Sequence, residues 1–178
     1  MKIALSGLHS QGKTTLLNAL HEVEELASFT RVPSPTRILQ SEGFSINESG
    51  NEITQTCIMM QHLKNVLQYS SNAIFDRCAL DGIAYSNFFN GSIVKENLNE
   101  LFLELFKNTI NRYDVIFYIE PELKLEDDNV RSLDENFFNN VKANFENIIT
   151  QYNVDVVRLK GSVQERVDLI KKTIKINN

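Results

Sequence analysis

The sequence predicts an α/β domain built on a parallel sheet. Short apolar runs with strand-like composition alternate with longer segments of helical period, which is the pattern of such a fold. A glycine-rich motif separates the first predicted strand from the first predicted helix, and a later apolar strand ends in a carboxylate. The chain has 178 residues, enough for one hydrophobic core and too few for two comfortable ones, so we assign residues 1–178 to a single domain.

Five segments have the length and composition expected of strands. They are Lys2–Ser6, Ser28–Val32, Ala73–Asp76, Asp114–Glu120 and Val154–Leu159. Between them, apolar residues recur at helical spacing, and we assign these stripes to the core. The stripes are Leu16, Leu20, Val23 and Ala27; Leu98, Leu101, Phe102, Leu105, Phe106 and Ile110; and Phe138, Val141, Phe145, Ile148, Ile149 and Tyr152. The sequence Ser162–Glu165 is a capping box that predicts the start of a last helix.

Two long polar stretches follow predicted strand ends and are interpreted as functional loops. The first, Pro33–Asn51, contains two prolines, two glycines and several Ser and Asn residues. The second, at about residues 121–136, is rich in acidic side chains and is interpreted as a small mobile lid. Ligands bind beyond the carboxyl ends of the strands in an open parallel sheet, so we expect both stretches to border the functional site.

The charge and cysteine content restrict the class of partner. A formal net charge of -5 disfavours non-specific binding to nucleic acid, although one basic groove is compatible with it. Cys57 and Cys78 lack metal-ligand spacing, and the apolar run at the N-terminus is too short for a secretory signal. We therefore expect two reduced thiols in a cytoplasmic protein. No segment approaches the ~20 apolar residues of a membrane helix, so we expect no membrane association.

The strongest motif is a phosphate-binding loop that fits G-x-x-x-x-G-K-[ST] without a mismatch. It consists of Gly7, Leu8, His9, Ser10, Gln11, Gly12, Lys13, Thr14 and Thr15. The glycines let the backbone curl so that successive N–H groups point at phosphate oxygens. We expect Lys13 to face solvent and reach the β- and γ-phosphates, and Thr14 to present its hydroxyl to a metal ion. The motif predicts ATP and Mg²⁺ as cofactors.

The second landmark is the pair Asp76–Arg77, where a buried apolar strand ends. An Asp at this point either holds Mg²⁺, usually through water, or accepts the proton of an attacking hydroxyl, and both alternatives stay open. Arg77 is expected to grip an anionic group or to stabilise developing charge. We therefore predict that Lys13, Asp76 and Arg77 are catalytic and that Thr14 and Asp76 bind the metal.

These motifs, the segment Phe75–Tyr85 and the tetrad Asp128–Arg131 together resemble the small P-loop kinases related to thymidylate kinase. The likeness is greatest to the group that contains the nicotinamide riboside kinase domain and many phage-encoded nucleotide kinase-like ATPases. The resemblance implies a P-loop NTPase fold, with a parallel five-stranded sheet in the order 2-3-1-4-5, helices on both faces and a lid. It also implies phosphoryl transfer from ATP to an acceptor, with Arg131 as a catalytic lid residue that closes over the phosphoryl group.

Four residues are candidates for binding the acceptor. Arg37 lies where the family contacts its substrate, and it is a candidate for holding an acceptor anion. Gln61 lies on the helical stretch Ile53–Gln68, from which related kinases often read a base edge. Asp81 is expected to orient Arg77 or the acceptor, and Tyr85 to stack on a base or complete the core.

Three functions fit these features. The first is phosphorylation of a nucleotide-like small molecule, either a nucleoside or a (deoxy)nucleoside monophosphate. The second is phosphorylation of a hydroxymethylated pyrimidine in phage DNA, which the net charge disfavours but a groove of Arg31, Arg37, Lys64 and Arg77 would permit. The third is a regulatory ATPase. The oligomeric state is left open, with a homodimer as one alternative, and a phage-encoded protein would act in the host cytoplasm.

Overall fold

The computed structural model describes residues 1–46, 49–89, 96–122 and 135–176. Within these ranges, five strands form one parallel sheet in the order β2-β3-β1-β4-β5, which confirms the predicted order. The strands are β1 (Lys2–Ser6), β2 (Thr30–Val32), β3 (Ala73–Asp76), β4 (Val115–Ile119) and β5 (Val157–Leu159). Because every pair is parallel, the carboxyl ends of all five strands meet at one edge of the sheet.

Three strands are shorter than predicted, and β5 shows why. The sequence predicts a strand from Val154, but β5 begins at Val157. The Val154 N–H instead donates to the carbonyl of Ile149 at 3.0 Å and completes the preceding helix. Asn153 supports this ending with a left-handed backbone (φ 48°), a conformation that asparagine tolerates.

The described ranges also contain seven α-helices. They are α1 (Lys13–Ala19), α2 (Pro35–Ser41), α3 (Glu52–Gln68), α4 (Ala79–Ser86), α5 (Glu96–Ile110), α6 (Glu135–Gln151) and α7 (Val163–Ile176). Short 3₁₀ helices follow α1 (Leu20–Glu22, Glu24–Leu26) and α4 (Asn87–Phe89). The predicted capping box forms before α7, where the Ser162 N–H donates to the Glu165 carboxylate at 2.7 Å and the Glu165 N–H donates to Ser162 Oγ at 3.3 Å.

The sheet carries one hydrophobic core on each face, because successive strand residues point to opposite sides. On one face, Ala4 and Phe75 pack beneath α3, α4, α5 and α6. On the other, Leu5 and Ile74 pack beneath α1 and α7. Helices therefore cover both faces, as the resemblance implied. The edge formed by the carboxyl ends of the strands is where a functional site is expected.

The structure corrects two of the predicted core stripes. Helix α1 ends at Ala19, and Val23 adopts an extended backbone (φ -85°, ψ 114°) between the two 3₁₀ turns. This change of direction buries Leu26 in place of Ala27, which is exposed. On α5, Leu101 is 44% exposed rather than buried, because the helix faces the core through Phe102 and its i+4 neighbour.

The prediction of a continuous loop over Pro33–Asn51 is wrong in part, because residues 35–41 form α2. Pro35 occupies the first turn, where its missing N–H removes no helical bond and its fixed φ suits a helix. Leu39 anchors the helix in the core with 7% of its surface exposed. The two prolines and two glycines obscured this short helix in the sequence.

Most of the predicted lid, including Arg131, lies outside the described residues. Both cysteines are free thiols, as predicted, with Cys57 half-buried and Cys78 buried. In the part of the chain that the structure describes, no helix combines the length and apolarity needed to span a membrane.

Candidate active site at the carboxyl edge of the sheet

The sheet register places the two predicted motifs side by side. Leu5 of β1 pairs with Asp76 of β3, so the loop that follows β1 begins beside the carboxylate that ends β3. Residues 9–14, Asp76, Arg77 and the facing side of α2 line a cavity of about 480 Å³, which we call the large cavity. The topology therefore brings together the loop, the Asp-Arg pair and Arg37, all of which the sequence singled out.

The phosphate-binding loop has the curled backbone that its glycines predict. Gly7, Ser10 and Gly12 have positive φ values of 133°, 59° and 77°. A Cβ on Gly7 would lie 2.8 Å from the carbonyl oxygen of Ile119, so no larger residue fits where the loop crosses the end of β4. Gly12 is the residue before α1, so the large cavity lies at the positive end of that helix.

The Lys13 side chain is buried, so the expectation that it faces solvent is wrong. Only 7% of the residue is exposed. Its ammonium donates to the carbonyl oxygens of Gly7, at 2.8 Å, and Leu8. These carbonyls replace water around the charge within the loop. A phosphate group that enters the large cavity would offer the same ammonium a stronger, anionic acceptor.

Two residues that line the large cavity carry buried hydroxyl groups. Ser10 Oγ and Ser34 Oγ are both inaccessible to water, and neither has a hydrogen-bond partner among the described residues. Both residues line the large cavity. Unsatisfied buried hydroxyls are costly, and a phosphate oxygen could accept hydrogen bonds from them once they become accessible from the cavity. The sequence motif includes Ser10 but gave no indication of Ser34.

The predicted metal ligands also line the large cavity. The Thr14 hydroxyl accepts a hydrogen bond from Arg37 Nη2 at 3.0 Å, and the carboxylate of Asp76 is 7% exposed. Oxygen donors of this kind suit Mg²⁺, which proteins usually bind through one or two side chains together with substrate phosphates. In the described ranges no cluster of three or more His, Cys, Asp or Glu residues could hold a metal ion by protein ligands alone.

Arg77 is fixed at the boundary of the cavity by three contacts. Its Nη1 lies 2.8 Å from Asp81 Oδ1 and 3.3 Å from the Gly7 carbonyl oxygen, and its guanidinium stacks over the Tyr85 ring at 5.2 Å. Burial alone lowers the pKa of Arg77, but the nearby Tyr85, Asp81 and Asp76 raise it, and the net shift is upward. Arg77 therefore keeps its positive charge inside the protein.

Asp81 connects three parts of the site. Besides the Arg77 ion pair, its Oδ1 accepts from the Gly7 N–H at 3.3 Å and its Oδ2 from the Cys78 N–H at 3.1 Å. The ion pair with Arg77 is the contact that the first of its two predicted roles, orienting Arg77, requires. A contact between Asp81 and the acceptor stays a prediction.

Tyr85 contacts both the phosphate-binding loop and the hydrophobic core. Its hydroxyl accepts a hydrogen bond from the His9 N–H at 3.0 Å and lies 3.0 Å from His9 Nδ1. Its ring packs against Phe137 and Phe145 with centroid distances of 5.9 and 6.1 Å. These contacts match the prediction that Tyr85 completes the core, and its predicted stacking on a base stays untested.

A second cavity adjoins the first and is much smaller, at about 20 Å³. We call it the small cavity. Thr36 and Arg77 line both cavities, and α3 contributes Gln55, Ile58 and His62 to the small one. Helix α4 approaches α3 closely at this point: a Cβ on its glycine, Gly82, would lie 2.5 Å from the sulfur of Met59.

Two polar side chains are buried in the wall of the small cavity. Gln55 and His62 are each 2% exposed. The Gln55 side-chain oxygen accepts from Ser86 Oγ at 3.2 Å, whereas His62 Nε2 has no hydrogen-bond partner in the part of the chain described. Burial lowers the pKa of His62 to about 4. Asp81 raises this pKa and Arg77 lowers it, both by less than burial does, so the imidazole is neutral near pH 7.

The structure does not bring Gln61 to either cavity. Residues on a helix advance by about 100° each, so Gln55, Ile58 and His62 share one face and Gln61 lies about 240° from Gln55. Its amide donates to Asn65 Oδ1 at 2.7 Å, along the side of α3. Gln55, and not Gln61, lines the small cavity. Gln55 and His62 are seven residues apart and so share one face of α3, but that face also buries Thr54 and Asn65, so the spacing alone does not single them out.

Arg166 is a further residue at the site that sequence reasoning did not identify. It is 3% exposed on α7, and its Nη1 donates to the carbonyl oxygen of Gln11 at 2.9 Å. Its Nη2 lies 3.4 Å from the carboxylate of Glu122, which accepts from the Gly161 N–H at 2.7 Å. Arg166 thus ties the phosphate-binding loop to the turn before α7, a contact between residues 155 positions apart.

A family model described as an AAA domain matches residues 2–166. The chain belongs to this family. Among curated relatives, the thymidylate kinase of Aliarcobacter butzleri (strain RM4018) is 24% identical, over 98% of this chain and 96% of its own length.

Solved structures share this fold. A deoxyadenosine kinase from M. mycoides superposes with a TM-score of 0.72 at 17% identity, over 100% of both chains. A NadR protein in complex with NR superposes with a TM-score of 0.69 at 18% identity, over 90% of this chain and 46% of that one. These solved structures confirm the predicted fold. The family match and the thymidylate kinase relative confirm the predicted resemblance to small P-loop kinases and, with it, the predicted class of enzyme, an ATP-dependent kinase.

Proposed function

We propose that this AAA domain protein transfers the γ-phosphoryl group of ATP to a nucleoside or a (deoxy)nucleoside monophosphate. The observation that carries the proposal is the adjacency of the two cavities. A phosphate-binding loop lines the large cavity, and buried polar groups able to read a flat heteroaromatic ring line the small one. An acceptor placed across the boundary would direct its sugar toward Asp76 and Arg77.

The large cavity supplies the groups for phosphoryl transfer. The backbone N–H groups of the loop and the Lys13 ammonium bind the phosphates of ATP. Bound Mg²⁺, held by Thr14 and through water by Asp76, would neutralise charge on those phosphates. Asp76 is also placed to receive the proton of the acceptor hydroxyl, and Arg77 to stabilise negative charge on the moving group. The expected contribution of Arg131 remains a prediction.

Arg37 supports an acceptor that carries a phosphate. In this structure its guanidinium donates to Thr14 and lies in an exposed position on α2. The phosphate group of a monophosphate can accept two hydrogen bonds from the Arg37 guanidinium, an interaction stronger than the single hydrogen bond to a hydroxyl group. Arg37 would then leave the Thr14 hydroxyl free for the metal ion.

Gln55 and His62 are the groups that would read the base. Both side chains are buried and fixed, and the neutral imidazole can accept or donate a hydrogen bond without the cost of burying a charge. A cavity of about 20 Å³ holds no more than a water molecule. The base therefore enters only when Thr36 moves outward with the short helix α2.

The first test incubates the protein with γ-labelled ATP and a panel of nucleosides, nucleoside monophosphates and DNA. We expect label on one or a few small-molecule acceptors. Label on DNA alone, or only on free phosphate, would refute the proposal in favour of a polynucleotide kinase or an ATPase.

A matched pair of variants on one helix tests the acceptor site. We expect Gln55→Leu to lower kcat/KM for the preferred acceptor by about tenfold to a hundredfold, the scale of one lost hydrogen bond to a buried group. Gln61→Leu should leave it unchanged. Equal effects of the two substitutions would exclude the small cavity as the base site.

The basic groove that would favour DNA does not form on one surface. Arg31 directs its Nη2 into the protein, to the carbonyl of Leu20 at 2.8 Å. Lys64 is exposed, on the side of α3 that faces away from the small cavity, whereas Arg77 lines both cavities. This arrangement supports a small-molecule acceptor.

A further inference from the structure

Arg166 contacts the backbone of the phosphate-binding loop without lining the large cavity. Its side chain is 4% exposed, and its Nη1 donates to the carbonyl oxygen of Gln11 at 2.9 Å. Its ion pair with Glu122 is longer, at 3.4 Å, and that carboxylate is 41% exposed. Its Nε is inaccessible to water and has no hydrogen-bond partner among the described residues. Within those residues, the Gln11 carbonyl is therefore the shortest polar contact of this buried charge.

The burial of Arg166 is not explained by its ion pair. A guanidinium keeps its charge inside a protein, so its removal from water needs strong compensation. One half-exposed carboxylate at 3.4 Å compensates only in part. Arg158 shows the contrast, because its side chain is 39% exposed and it pairs with Glu120 and Glu146 at 2.8 and 2.7 Å. The unfavourable position of Arg166 directs attention to what its contact with the loop does.

This contact fixes the orientation of one peptide group in the loop. A trans peptide is planar, and its C=O and N–H point in opposite directions. Because the Gln11 carbonyl is held toward α7, the Gly12 N–H points away from α7, toward the large cavity, to which α7 contributes no residue. Ser10 and Gly12, on either side of Gln11, have φ values of 59° and 77°. This alternation of backbone conformation arranges successive N–H groups as a concave anion site.

The peptide between Gln11 and Gly12 needs a restraint of this kind. Glycine lacks a Cβ and adopts both signs of φ, so this peptide can flip at little steric cost. Helix α1 begins with the bond from the Leu16 N–H to the Gly12 carbonyl, at 2.9 Å. The helix therefore fixes the peptide that follows Gly12, and the peptide that precedes it depends on Arg166.

We propose that Arg166 is a positioning residue for phosphoryl transfer, because it holds the Gly12 N–H in the direction of the phosphates of ATP. Arg166 acts through the loop and does not itself contact the nucleotide. Helix α7 thus supplies an orientation that the glycines of the motif permit but do not enforce. The inference rests on the proposed function only in that the loop binds ATP, and it is independent of the acceptor.

The affinity for ATP with Mg²⁺, measured by calorimetry, tests this role without an acceptor. Arg166→Ala should weaken binding by about tenfold to a hundredfold, the scale of one hydrogen bond to a charged group. In steady-state kinetics, kcat/KM for ATP should fall at least as much while KM for the acceptor stays unchanged. The matched control, Arg158→Ala, removes an arginine with shorter ion pairs and should keep the natural affinity for ATP. A folded Arg166→Ala protein with natural affinity, or equal losses in the two variants, would overturn the proposal.

The amide proton of Gly12 reports the orientation of the peptide directly and keeps the proposal testable if Arg166→Ala fails to fold. Gln11–Gly12 is the only Gln–Gly pair in the sequence, so carbonyl-¹³C glutamine with ¹⁵N glycine gives a single correlated NMR signal. ATP with Mg²⁺ should move this proton downfield in the natural protein, because a hydrogen bond to an anionic oxygen deshields it. The shift should be smaller in Arg166→Lys, since an ammonium cannot reproduce both contacts of the guanidinium.

No downfield shift in the natural protein, or an equal shift in Arg166→Lys, would show that Arg166 does not orient the Gly12 N–H. Neither the calorimetry nor the NMR measurement uses an acceptor. If both give the expected result and no nucleoside or nucleotide is phosphorylated, the proposed function fails and this inference stands.

Discussion

The large and small cavities are built in different ways. One continuous segment, residues 9–14, lines the large cavity, and a loop of this kind binds phosphate largely through its backbone N–H groups. The small cavity is assembled from side chains of α2, α3 and α4, which are distant in sequence. A backbone site depends on local conformation, so its motif can be recognised in the sequence. A side-chain site depends on how helices are rotated against each other, so it cannot be recognised from a motif in the sequence.

The two cavities also differ in the kind of interaction they offer. Charged groups line the large cavity, including Lys13, Arg37 and Asp76, and they suit phosphates. The small cavity is lined by the Arg77–Asp81 ion pair and, in addition, by the neutral groups of Gln55 and His62, which can discriminate by hydrogen-bond pattern. Substitutions in the large cavity should therefore affect the rate of phosphoryl transfer, and those in the small cavity should affect the choice of acceptor.

The largest effect is expected from Lys13→Ala. If Lys13 binds the β- and γ-phosphates as proposed, removing its ammonium should lower kcat by about a hundredfold to a thousandfold, the scale of one preorganised donor. Steady-state kinetics measures this loss, and the melting temperature checks that the fold is retained. Lys160→Ala, at an exposed position before α7, is the control. A Lys13→Ala variant with more than about a tenth of the natural kcat would contradict the assignment of the loop.

Asp76→Asn should lower kcat by about a hundredfold while ATP binding changes little, because the carboxylate acts mainly in the transition state. Comparing kcat with the dissociation constant of ATP separates these effects, and Asp168→Asn on α7 is the surface control. If raised Mg²⁺ restores the rate, Asp76 holds the metal; if it does not, Asp76 is the base. A normal kcat with a raised KM for ATP would rule out both roles.

Arg37→Ala tests whether Arg37 binds the phosphate of an acceptor. We expect KM for a monophosphate acceptor to rise about tenfold to a hundredfold, the scale of a hydrogen bond to a charged group. Affinity for ATP with Mg²⁺ should stay the same or increase, because Thr14 loses its hydrogen-bond donor. Arg37→Lys should recover part of the loss. An unchanged acceptor KM would show that Arg37 contacts no acceptor phosphate.

The smallest effect concerns stability and arises in the small cavity. Because the pKa of His62 falls from 6.5 to about 4 on folding, the unfolded chain binds more protons between these values. This contribution to the free energy of unfolding should be present above pH 6.5 and fall as pH decreases, by about 1.4 kcal/mol near pH 5.5. Denaturant unfolding of His62→Gln should lack this part of the pH dependence, whereas His21→Gln, at an exposed position, should retain it. Equal pH profiles for the two variants would disprove the burial of a neutral imidazole.

The sequence by itself determined the features that depend on neighbours along the chain. The bounds of β1 and β3, the curled loop from Gly7 and the capping box at Ser162 all follow from short-range spacing. The sheet order came from a resemblance that rests on the same local motifs. In each case, the residues that carry the signal are within a few positions of one another.

Only the tertiary structure decided which side chains meet. It placed Gln55 rather than Gln61 at the small cavity, because helix rotation against α4 selects one face. Arg166 contacts the phosphate-binding loop although the residue that it contacts is 155 positions away in the sequence. Arg37 contacts Thr14 from α2, a short helix that was not predicted because two prolines lie at or just before its start. Such contacts have no local signature, because packing of elements distant in the chain sets the distance between their side chains.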